Sequence, residues 1–89
     1  MTKLLIDEQA IELIARELTR EKASAMRIFT AGGGCCKRFE IIPVEKALSG
    51  DQTFVQGGIR IFVEKEIAEN TSGIHIKYDE HKGLLLDLT

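Results

Sequence analysis

The chain has 89 residues, 44% apolar and 29% charged, with a formal net charge of −2. A chain of this length makes one small domain, 1–89, that buries about 60–65% of its unfolded surface. The balance excludes the basic footprint of a nucleic-acid binder, and no run reaches the ~18–20 apolar residues of a membrane span.

The opening Met1-Thr2-Lys3-Leu4-Leu5-Ile6-Asp7 is too short and too soon acidic for a signal peptide, so a cytoplasmic location is expected. Asp7 is placed to cap a helix, with Glu8 in the favourable first turn. Ala10, Ile11, Ile14, Ala15 and Leu18 recur at helical spacing, with Glu8, Glu12, Arg16, Arg20 and Glu21 largely off that stripe, which predicts a helix over 8–22. After Ala23-Ser24 the period becomes two, and Met26, Ile28 and Thr30 form a strand that runs into three consecutive glycines. Phe39–Val44 is the next strand, and Pro43 places it at an edge or a bulge because proline donates no ladder hydrogen bond. Ser49-Gly50-Asp51 turns into a short strand over Thr53–Val55. Gly57-Gly58 turns again, and Ile59, Ile61 and Val63 alternate with Arg60 and Phe62. Glu64 to Asn70 reads as a two-turn helix with Glu64, Glu66 and Glu69 on its wet side, broken at Thr71-Ser72-Gly73. Ile74, Ile76 and Tyr78 make a strand, with His75 on its polar face. Glu80-His81-Lys82-Gly83 turns, and Leu84, Leu86 and Leu88 make the last strand. Without regular βαβ units the class is α+β, with mostly antiparallel strands, an N-terminal helix and one short second helix.

The only two cysteines, Cys35 and Cys36, stand side by side behind Gly32-Gly33-Gly34. Glycines lower the barrier to positive φ and to close backbone approach, and thiolates suit iron–sulfur clusters, zinc and copper(I). The pair therefore marks a candidate metal site, although free cysteine also serves as a small buried hydrophobe. A disulfide between them is disfavoured: neighbouring Cα atoms lie about 3.8 Å apart, and unstrained disulfides want about 4.4–6.8 Å. A phosphate loop would need Gly-x-x-x-x-Gly-Lys-Ser/Thr leading into a helix, and here a strand follows. A thioredoxin-like site would need Cys-x-x-Cys, and nothing in the spacing ties His75 or His81 to the thiols as an activating base.

The order of these elements, with Ala31-Gly32-Gly33-Gly34-Cys35 after a strand, resembles the A-type iron–sulfur carriers, the HesB/IscA-like domain. Phe39 takes the aromatic position of the following strand. Asp51, Gly57-Gly58, Ile61-Phe62-Val63-Glu64, Gly73-Ile74-His75-Ile76-Lys77-Tyr78 and Lys82-Gly83 follow in the family's order. The resemblance implies a HesB-like fold over nearly the whole chain. It also implies a role as an accessory in iron–sulfur cluster biogenesis, with labile binding and transfer of iron or a [2Fe–2S] cluster. In the family the loop cysteine and two cysteines of a C-terminal Cys-Gly-Cys tail supply the ligands. Only Cys35 carries over; Cys36 stands where the family has serine, and the sequence ends at Thr89 before any such tail. A [2Fe–2S] cluster commonly takes four thiolates, so a cluster held by Cys35 and Cys36 implies a homodimer, or completion by histidine, carboxylate or an exogenous thiol. Cluster-assembly or acceptor proteins are the implied partners. Such transfer is ligand exchange without turnover, so no enzymatic activity and no catalytic residue are expected. The competing expectation is a cluster-free protein-interaction or regulatory module with Cys35 and Cys36 as structural or redox-sensing thiols.

Overall fold

The computed structural model describes residues 2–32 and 38–89. Within them the chain runs β1 (Lys3–Ile6), α1 (Glu8–Glu21), β2 (Ala25–Ala31), β3 (Arg38–Val44), β4 (Gln52–Gln56), β5 (Ile59–Val63), α2 (Lys65–Asn70), β6 (Gly73–Asp79) and β7 (Gly83–Leu88). The strands form two sheets, one of order β1-β6-β7 and one of order β3-β2-β5-β4. The pairs β2–β3, β4–β5 and β6–β7 are antiparallel, as hairpin connections allow. The pairs β1–β6 and β2–β5 are parallel. Antiparallel pairing thus predominates, and the fold is α+β with an N-terminal helix and a short second one. Among the described residues no helix is long and apolar enough to cross a membrane.

Alternation builds the core. Ile59, Ile61 and Val63 of β5, Met26 and Ile28 of β2, and Ile74 and Ile76 of β6 all point into one cluster. Ala10 and Ile14, one helical turn apart on α1, are completely buried in the same cluster, and Ile67 of α2 joins them. Pro43 lies in β3, an outermost strand, opposite Met26, as its missing N–H requires.

The helix ends depart from the expected boundaries for identifiable reasons. α1 stops at Glu21 because Lys22 turns left-handed at φ 53°. The amides of Lys22 and Ala23 then donate to the carbonyls of Thr19 and Leu18, which closes the helix in a Schellman arrangement. Asp7 occupies the N-cap position with extended backbone, but its side chain makes no capping bond. Its carboxylate instead sits 2.7 Å from Nε2 of His75. His75 is consequently half-buried and tied across β1 rather than free in solvent. β1 itself has no period to reveal it: Lys-Leu-Leu-Ile is four residues long, and it is held by pairing Lys3–Ile6 with Gly73–Ile76.

Candidate functional site

The glycine–cysteine segment joins β2 to β3. Its stem is an antiparallel ladder whose last rungs are Thr30 opposite Phe39 and Ala31 opposite Arg38. Gly32 then leaves the ladder at φ 78°, a conformation that costs a residue with a Cβ about 1–2 kcal/mol. Gly33, Gly34, Cys35 and Cys36 lie outside the described residues. The described part of the site is its stem.

β2 carries the one charged residue of its buried stretch. Arg27 lies between Met26 and Ile28, and all three are buried. Alternation places Arg27 on the face of the sheet opposite the apolar core, where it meets Asp51. Arg27 Nε donates to Asp51 Oδ2 at 2.8 Å and Nη2 donates to Oδ1 at 2.9 Å. This fork-to-fork geometry suits guanidinium and carboxylate. The Asp51 side chain is only 2% exposed, so the pair is desolvated, and Asp51 Oδ2 also accepts the Leu48 amide at 2.9 Å. The Arg27 hydrogen bond holds the Asp51 carboxyl below the usual carboxylate range, against the opposing effect of burial. The guanidinium carbon also lies 5.8 Å from the centroid of the Phe29 ring, within cation–π range.

Glu64, the residue before α2, completes the arrangement. Its amide donates to the Ile28 carbonyl at 3.0 Å. Its Oε1 accepts the Thr30 amide at 3.3 Å, and its Oε2 lies 3.9 Å from Arg27 Nη2. Glu66 and Glu69 are exposed as expected, but Glu64 is half-buried and engaged with β2, so it does not belong to the wet side of the helix. Beside the stem, Thr30, Phe39, Glu66, Ile67, Asn70 and Thr71 line a hollow of about 190 Å³, with Phe39 48% exposed at its edge.

The histidines serve other parts of the fold. His75 pairs with Asp7, and Asp87 stands opposite it on β7. His81 is exposed in the β6–β7 turn, where its amide donates to Asp79 Oδ1 at 2.7 Å. Among the described residues no group of three or more His, Cys, Asp or Glu side chains is arranged to hold a metal ion. Metal chemistry on this chain would draw on the soft thiolates of Cys35 and Cys36, the donor type that iron–sulfur clusters use. The Arg27–Asp51–Glu64 network is absent from the expectations read from sequence. Its signal was a lone arginine between Met26 and Ile28 in a strand otherwise rich in apolar residues.

No protein-family model and no curated protein sequence matches the chain. Solved structures do match. The crystal structure of IscA with the [2Fe–2S] cluster superposes with a TM-score of 0.72 at 22% identity, over 100% of this chain and 84% of that one. Escherichia coli SufA, described as involved in biosynthesis of iron–sulfur clusters, superposes with a TM-score of 0.74 at 19% identity, over 98% of this chain and 79% of its own. The solution structure of a protein from Aquifex aeolicus superposes with a TM-score of 0.69 at 16% identity, over 100% of this chain and 94% of its own. The chain has the IscA/SufA-like fold.

Proposed function

We propose that the chain is an accessory in iron–sulfur cluster biogenesis. It binds iron or a [2Fe–2S] cluster labilely through Cys35, with Cys36 as a second ligand, and passes it on by ligand exchange. The cargo is the substrate of a transfer, and no turnover is involved. One combination supports this reading. The whole chain shares its fold with an IscA solved with a [2Fe–2S] cluster, and both of its cysteines fall on the segment between β2 and β3. That segment is closed at its stem by the Ala31–Arg38 rung of the β2–β3 ladder.

The test is anaerobic reconstitution with ferrous iron and sulfide, followed by absorption spectroscopy. Wild-type protein is expected to acquire cluster absorption. Cys35→Ser is expected to lose it and Cys36→Ser to retain a weaker form. Native protein is also expected to react with a thiol reagent at both cysteines without prior reduction. Full cluster absorption in Cys35→Ser would overturn the ligand assignment. A colourless wild-type protein with two reactive thiols would instead identify a cluster-free redox or interaction module.

A further inference from the structure

β2 outlasts its neighbour. The parallel ladder with β5 extends to Ile28 opposite Val63, after which the backbone turns into α2. Phe29, Thr30 and Ala31 continue beyond it, paired only with β3 among the described residues. On the open side the Thr30 amide needs an acceptor, and Glu64 supplies one. The residue grips β2 twice, by its own amide on the Ile28 carbonyl and by its carboxylate on the Thr30 amide. The second carboxylate oxygen faces Arg27, which Asp51 holds in a two-pronged bond. The acceptor is thus oriented by a buried, already ordered cation. One residue past Thr30 comes the last rung, and then the left-handed turn at Gly32.

We infer that Glu64 is the positioning residue of the thiol-bearing loop. Its side chain stands in for the strand that β2 lacks and fixes the point from which the glycines and cysteines depart. The assignment rests on the proposed reading only in taking Cys35 and Cys36 as metal ligands; the grip on Thr30 is independent of it.

The test uses two readouts that need no iron. One is hydrogen exchange at the Thr30 amide. The other is affinity for phenylarsine oxide, which forms two S–As bonds across a close thiol pair, the two thiol protons leaving with the arsenical oxygen as water. Glu64→Ala is expected to exchange Thr30 faster and to bind the arsenical about tenfold more weakly, the low end of the loss that follows removal of a hydrogen-bond partner from a metal ligand itself. Glu64→Gln retains an acceptor oxygen and is expected to restore both readouts to the wild-type level. Glu64→Asp retains the charge but withdraws the oxygen, so it should behave as the alanine variant does and serves if that variant does not fold. Wild-type exchange and arsenical affinity in both Glu64→Ala and Glu64→Asp would overturn the proposal, as would failure of Glu64→Gln to rescue. If wild-type protein takes up no cluster while these differences persist, the cargo reading falls and the positioning role stands. If the cluster forms and the variants match wild type, the reverse holds.

Discussion

Arg27 and Asp51 carry a stake in this fold comparable to that of a core isoleucine. Taking both charges out of water is expensive, and their attraction offsets it only while the pair is intact. Removing Asp51 leaves the buried Arg27 without its two-pronged partner and with only Glu64, 3.9 Å away, beside it. Asp51→Ala is therefore expected to lower unfolding free energy by about 3–5 kcal/mol in urea titrations. Joint replacement by apolar residues of similar size is expected to recover most of that loss. The same pair sets an acid limit. Because Arg27 holds the Asp51 carboxyl below its ordinary range, the stabilisation is complete above the unfolded value near pH 4 and is lost as pH falls through the folded value. Urea midpoints measured between about pH 5 and pH 2 should show this loss in wild type and a shallower one in Asp51→Asn. Lys22 offers the opposite opportunity. It is the only non-glycine residue with positive φ among the described ones, at the position after a helix where glycine is preferred. Lys22→Gly is expected to raise stability by about 1 kcal/mol, read as an increase in Tm.

The helices and hairpins were legible where period and punctuation agreed. The stripe Ala10–Ile14–Leu18 marked α1, and the alternation of Ile59, Ile61 and Val63 marked β5. Gly57-Gly58 marked the turn between β4 and β5. Both glycines have positive φ, 59° and 77°, as the tight hairpin turn whose twist matches its strands requires. A Cβ on Gly57 would also stand 2.6 Å from Cδ1 of Ile11, because α1 packs against this turn. Gly57→Ala is thus expected to destabilise by more than about 1 kcal/mol, whereas Gly58→Ala meets only the backbone strain, with nothing within 4 Å of its Cβ. Comparison of the two unfolding curves separates strain from collision. What escaped the sequence was long-range. β1 owes its strand to a partner about seventy positions away, a relation no local period encodes. Asp7 and Glu64 look like helix-start residues, but their carboxylates are claimed by His75 and by the Thr30 amide. Of the candidate site, the loop and its two thiols were readable as chemistry; the buried ion pair and carboxylate that brace its stem were not, because their meaning lies in contacts between separate elements.

At the level of the assembled protein, ligand counting sets the expectation. Two thiols per chain fall short of the four that a [2Fe–2S] cluster commonly takes. A symmetric pair of chains meets the number, and two-fold pairing is the commonest closed assembly. Cluster-loaded protein is therefore expected to sediment as a dimer or larger, whatever the size of the unloaded protein. A coloured monomer without added thiol would rule out shared ligation. The sheet of order β1-β6-β7 has a different consequence. The Lys3 amide bonds the Ser72 carbonyl, the Thr2 hydroxyl reaches the carbonyls of Ala68 and Thr71, and the amide of Ser72 reaches the Thr89 carbonyl. β1 thus waits for β6, its one partner strand among the described residues. On a ribosome β1 emerges about seventy residues before β6 exists to receive it, so Ile6 has no partner strand until then. Such a chain closes its longest loop last, and its folding rate should be governed by that closure more than by the speed of its helices.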